Sequence, residues 1–159
     1  MKFKIIFFTL LLFGSAMHTI AQKPRITKPI TKVVKFKVPI LTTSLGSFKD
    51  TMFIAPQIAD SIIQLPLKVV DAKNVIYIIS SYQFLYRKIV TTEDEATGKT
   101  SKTTSIKSSL FKTTPLPAIW LNAVTEDLKA GEEFFFFAVT VKDPQGRIMY
   151  APNLKLQLR

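Results

Sequence analysis

Ser109-Leu110-Phe111-Lys112 has the spacing of a serine–lysine hydrolase, in which the lysine amine activates the serine hydroxyl. That chemistry sits at the start of a helix with further polar motifs nearby, whereas this stretch has the pattern of a strand and neither companion. Gly98-Lys99-Thr100 ends like a phosphate-binding loop, whose backbone N–H groups surround the anion. Glu93 stands where the first glycine of such a loop belongs and no strand–helix context surrounds it, so a hairpin tip is expected. Glu93-Asp94-Glu95 and Glu132-Glu133 offer carboxylates for a cation or for acid–base work, but without calcium-loop spacing they are expected to be solvated charges. The chain has no cysteine, and its one histidine is His18. Past that residue there is neither imidazole nor thiol, which excludes the usual zinc sites, thiol nucleophiles and Ser-His-Asp triads. No enzymatic activity, no cofactor and no metal are expected.

His18 itself belongs to a leader. Lys2 and Lys4 precede the apolar run Ile5 to Phe13, and Thr19-Ile20-Ala21 supplies a small-residue exit. This is the form of a secretory signal peptide, with cleavage expected after Ala21. The run is shorter than the roughly 20 residues of a membrane span, so no transmembrane anchor is expected after cleavage, and there is no cysteine to carry a lipid. The remaining 138 residues suit one domain in the periplasm, with the cell surface as a second location. Without disulfides, an apolar core has to hold it together.

Removing Lys2 and Lys4 lowers the formal charge from +11 to +9. Six of the remaining cations, Lys23, Arg25, Lys28, Lys32, Lys35 and Lys37, precede Pro39 with no acid among them. From Ile40 onward 14 basic residues meet 11 acidic ones. The excess is a property of the N-terminal arm, which serves either as a solubilising lead-in or as an attachment to an anionic surface or partner. The arm holds a single aromatic, Phe36, and no nucleic-acid reading motif, so no nucleic-acid partner is expected.

The elements that position these residues follow from periodicity. Residues 22–31, with Pro24 and Pro29, are expected to be an extended linker. Val34, Phe36 and Val38 alternate with lysines, which predicts a half-buried first strand over Lys32 to Ile40. Thr42 to Asp50 is turn-rich around Gly46. Ala55 to Ile62 fits either a short helical turn, with Pro56 in its first turn, or an irregular edge strand. Asn74 to Val90 predicts the longest strand, central in its sheet, with Ile76, Ile78, Tyr82, Phe84 and Tyr86 on one face. Thr91 to Ser109 is expected to be a long exposed hairpin. Pro115 to Val124 predicts one short helix, with Ile119, Trp120 and Val124 closing one end of the core. Leu154, Leu156 and Leu158 alternate with Lys155, Gln157 and Arg159 in a final strand. Many short strands with few helices predict an all-β, antiparallel β-sandwich with one or two short helices, spanning residues 40–159.

Phe134-Phe135-Phe136-Phe137 is the exception to alternation. In a strand, Phe134 and Phe136 share one face and Phe135 and Phe137 the other. One pair must enter the core, and the other needs cover from a helix, a loop or another protein. A buried ring contributes on the order of 1.5–3 kcal/mol, so leaving two in water is costly. Phe135, Phe137, Trp120, Lys32, Lys35 and Lys37 are the candidate partner contacts.

The stretch Asp127-Leu128-Lys129-Ala130-Gly131-Glu132-Glu133, the aromatic strand after it, and Val141-Lys142-Asp143-Pro144-Gln145-Gly146-Arg147 resemble a known family. They are similar to the C-terminal periplasmic domain of GldM, the shaft protein of gliding motility and type IX secretion. Val75 to Tyr86, with Ser81-Tyr82, and Leu41 to Gly46 extend the likeness to residues 39–159. The resemblance implies an immunoglobulin-like sandwich used for protein–protein contact in the periplasm, and it carries over no catalytic residue. The membrane helix and multidomain shaft of that family have no counterpart here, which implies a single-domain relative. The expected partner is an envelope protein, such as a secretion or gliding component, or a second copy of the chain. The alternative is a module binding a polyanion such as acidic glycan through the basic arm.

Overall fold

The computed structural model describes residues 36–159, and every element below lies in the unit Lys37–Arg159. The expected signal segment, the linker and most of the basic arm, including Lys32 and Lys35, lie outside the described residues. The strand expected over Lys32 to Ile40 is absent from its described part, residues 36–40, and regular structure among the described residues begins with a hairpin of β1 (Leu41–Leu45) and β2 (Phe48–Lys49) that turns at Gly46. β3 (Thr51–Ile54) leads into helix α1 (Pro56–Ile63), which resolves the choice between helical turn and edge strand. Proline fits its first turn, where no N–H partner is missed. Ala59, Ile62 and Ile63 are buried at the spacing of one helical face.

β4 (Leu67–Asp71) and β5 (Ile76–Glu93) follow, then β6 (Thr100–Phe111), helix α2 (Ala118–Thr125), β7 (Glu133–Lys142), β8 (Ile148–Tyr150) and β9 (Leu154–Leu158). The strand order is β2-β1-β4-β5-β7-β9-β3, with β6 added to β5 and β8 to β7. β5 belongs to both layers, because its start pairs with β4 while the rest pairs with β6 and β7. The result is an all-β, sandwich-like fold around one apolar cluster. Two side-chain hydrogen bonds between distant segments tie it together. Thr43 Oγ1 donates to the Pro152 carbonyl at 2.6 Å, and Thr114 Oγ1 accepts from the Leu67 N–H at 2.7 Å.

Three further expectations need correction. The sheet is mixed, since β3 runs parallel to β9. About a hundred residues of chain separate these strands, so no tight hairpin forces an antiparallel pairing. The expected inward set on β5 holds for Tyr82, Phe84 and Tyr86, but Ile76 and Ile78 are exposed and Tyr77 is buried in their place. On α2, Val124 is buried and Trp120 packs on the core, whereas Ile119 points to solvent. Neighbours on a helix are about 100° apart, so Ile119 and Trp120 cannot both face one surface squarely.

The phase change on β5 has a visible cause. Ile79 pairs with Val141 and Ser81 with Thr140, which leaves Ser80 as an extra residue on β5. Ser81 pairs with Thr140 and Gln83 with Phe137, which leaves an extra residue on β7. Ala138 lies in that second irregularity, with φ +49°. Each bulge reverses the facing of the residues beyond it. The two cancel in register, so Phe84 sits opposite Phe136 and Ile78 opposite Lys142 with the same offset. Both strands therefore switch parity together. Phe134 and Phe136 are buried before the bulge on β7, and Val139 and Val141 after it.

Candidate functional site

β7 places its four phenylalanines two and two. Phe134 and Phe136 join an aromatic core with Phe84 (centroids 6.0 and 4.9 Å away), and Tyr86 lies 5.5 Å from Phe134. Such tilted pairs add dispersion and quadrupole attraction to simple burial. Trp120 closes this core edge-on, 6.0 Å from Phe84 and 5.3 Å from Phe111.

Phe135 and Phe137 lie on the opposite side of the sheet, half-buried and stacked on each other at 5.0 Å with planes 11° apart. The short helix does not cover them, because its tryptophan occupies the inner side. Cross-strand register gives their surroundings. Leu85 is opposite Phe135 and Gln83 opposite Phe137, while on β6 Leu110 is opposite Gln83 and Ile106 opposite Arg87. Directly opposite residues share a face, so Leu85, Leu110 and Ile106 extend the patch. Leu110 and Ile106 are 56% and 58% exposed.

A charged group borders this apolar face. Glu133 continues the outward side of β7, and its Oε2 is 2.9 Å from Lys155 Nζ, 3.6 Å from Arg87 Nη1 and 3.3 Å from Gln157 Nε2. Burial pushes the Glu133 carboxyl upward, but Lys155, Gln157 and Arg87 outweigh it and hold the group below the ordinary glutamate range. Lys155 lies opposite Phe135 on the neighbouring strand, so the ion cluster and the ring pair form one continuous surface. At its far side Arg159 stacks over the Phe53 ring at 5.6 Å.

The turn before β7 sets where this strand starts. Glu132 is fully buried and accepts from Tyr86 Oη at 2.7 Å, the Ile89 N–H at 3.1 Å and the Lys129 N–H at 3.3 Å. Gly131, at φ +92°, donates its N–H to the Leu158 carbonyl at 2.7 Å. A Cβ at Gly131 would meet Ile89 Cδ1, the movable end of a side chain, at 2.7 Å, and the positive φ, which L side chains rarely adopt, is what favours glycine between the turn and β5. Spacing alone marked the Glu132-Glu133 pair as solvated carboxylates. Instead one carboxylate clamps the turn to β5 and the other anchors the ion cluster. Their burial carried no local signal beyond the acidic pair beside a glycine.

The remaining motifs occupy ordinary structural positions. Ser109 is within β6 and Lys112 lies just past its end, and residues three apart on a strand face opposite sides. Gly98-Lys99-Thr100 forms the hairpin tip, where the Gly98 N–H donates to the Asp94 carbonyl at 2.8 Å. Asp94 Oδ1 accepts from the Ala96 and Thr97 N–H groups. The Asp143 turn between β7 and β8 is built likewise, with Oδ1 accepting from the Gln145 and Arg147 N–H groups at 2.9 and 2.8 Å.

The structure thus brings Phe135 and Phe137 together, sets Trp120 on the other side of the same sheet, and leaves Lys37 exposed beside residues 38–40 and 71–73. Leu85, Leu110, Ile106 and the Glu133 cluster were missed from sequence, because their place beside the rings depends on register between distant strands. No model of a known protein family matches the chain, and no curated protein is significantly similar to it.

Proposed function

We propose that this protein is an exported, non-enzymatic protein-interaction module that binds an envelope protein through the outward face of β5, β6 and β7. The carrying observation is the stacked pair Phe135 and Phe137 on a sheet face that no helix or loop covers among the described residues, continued by Leu85, Leu110 and Ile106. Aromatic and aliphatic side chains beside an Arg–Glu–Lys cluster match an interface with an apolar centre and a polar rim. Sequence likeness to the GldM periplasmic domain supports a partner in a gliding or type IX secretion assembly. The all-β fold is compatible with that likeness. The lack of imidazole and thiol beyond His18 supports binding rather than catalysis.

Site-specific photo-crosslinking in the native cell tests this reading. A photoreactive residue at Phe137 or Leu110 should give a defined adduct with an envelope protein, and one at Lys73, away from the face, should not. Adducts from position 73 alone, or from none of the three, would overturn it. An adduct of twice the chain's mass would make the partner a second copy.

A further inference from the structure

Among the described residues, β6 pairs with one strand. Its twelve residues pair with β5 from Phe111 opposite Tyr82 to Thr100 opposite Glu93, and no strand lies on its other side among the described residues. Its free edge offers a row of backbone donors and acceptors. Beside that edge, on the inner side, Ile119, Trp120 and Ala123 of α2 and Lys107 of β6 line a groove of about 210 Å³. Small-molecule sites run from about 300 to 1,000 Å³, so this groove is sized for a single side chain. Ile119 forms its lip at 77% exposure. The edge and the groove are adjacent because Lys107, opposite the buried Tyr86, projects to the inner side of β6.

Charge decides the occupant. The only ionisable side chains on β6 are Lys102 and Lys107, and α2 carries none. Neither lysine is in an ion pair among the described residues. A second copy of β6 would bring more lysine and no carboxylate, and lysines on an edge discourage such self-pairing. An acidic strand neutralises them.

We propose that the free edge of β6 and the groove beside α2 together receive an extended acidic segment of a partner protein, which joins the sheet as a further strand. The segment's inward side chains alternate, one apolar residue entering between Ile119 and Trp120 and a carboxylate two positions away meeting Lys107. Its outward side chains lie next to Ile106 and Leu110. Main-chain hydrogen bonds supply affinity, and the groove and lysine supply selectivity. This proposal rests on the interaction-module reading and adds the kind of partner segment that such a module takes.

Trp120 is the chain's one tryptophan, so its emission reports the groove directly. The purified chain is titrated at low salt with a blocked nine-residue peptide of alternating threonine and valine. This probe has a central phenylalanine and glutamates two positions to either side. A second peptide carries lysines in place of the glutamates, and a third is the acidic peptide N-methylated at alternate amides. The acidic peptide should change Trp120 emission saturably and bind at least tenfold tighter than the lysine peptide. Lys107→Glu should reverse that order, and N-methylation should abolish binding. Lys73→Ala, in the turn between β4 and β5, should leave it unchanged. Equal binding of the acidic and lysine peptides, no change in emission with any of them, or indifference to Lys107→Glu would overturn the proposal. If it fails while crosslinking at position 137 persists, the groove is removed and the outer-face reading stands. If both fail, the interaction-module reading falls too.

Discussion

Tyr86 Oη donates a 2.7 Å hydrogen bond to Glu132 Oε2, and both side chains are cut off from solvent. This bond joins the middle of β5 to the turn that launches β7, so it helps set which phenylalanines of the next strand face inward. Burial first, and then the neighbouring carboxylate, raise the Tyr86 phenol above its ordinary range and keep it a donor.

Tyr86→Phe should destabilise the fold by about 1–3 kcal/mol, because a buried carboxylate loses one of its three donors. Glu132→Ala should cost more, as it leaves the Tyr86 hydroxyl and the Ile89 and Lys129 N–H groups without their acceptor. Urea unfolding followed by Trp120 fluorescence measures both. Additive single and double variants would show that the pair is not coupled.

Substitutions along the phenylalanine run should separate by parity. Phe134→Ala and Phe136→Ala remove core rings and should each cost about 3–5 kcal/mol. Phe135→Ser and Phe137→Ser should cost clearly less, while suppressing the crosslinks described above. Thermal melts of the four variants check the order, and equal losses would contradict the assigned facing.

Ala138 is a second discriminating position. An L-residue in left-handed conformation is strained by about 1–2 kcal/mol, which glycine avoids at an entropic cost of roughly 0.5–1 kcal/mol. Ala138→Gly should therefore be neutral or mildly stabilising, the reverse of glycine's usual effect in a strand. Ala138→Val should be destabilising, since a β-branched residue resists φ +49°. Chemical denaturation of the two variants gives the signs.

Acid should unfold the protein partly through Glu133. Its folded carboxyl is held below the ordinary value of 4.5, so the stabilisation is fully present above that value. It is lost as pH falls through the depressed folded value. Glu133→Gln should lower stability at neutral pH and flatten the decline below about pH 4.5. Asp143 shifts in the same direction, its burial being outweighed by Arg147 and by turn N–H groups, and it leaves a residual slope in that variant. Stability measured from pH 7 down to 3 tests this, and an unchanged profile would refute it.

Local pattern determined a good deal about this protein. Strict alternation defined β9, and Pro56 suited the first turn of α1 without deciding between helix and edge strand, because each of these signals depends on neighbours within one turn or one strand. The division of Phe134 and Phe136 from Phe135 and Phe137 was equally legible. Tertiary structure alone decided which pair entered the core, since the two are chemically identical and only the rings brought by β5 and α2 distinguish them. It also decided the parity switch at Ser80 and Ala138, the parallel seat of β3 and the burial of Glu132 and Glu133. A bulge or a cross-strand register is set by pairing between residues tens of positions apart, and the periodicity of a single strand does not encode its partner's offset.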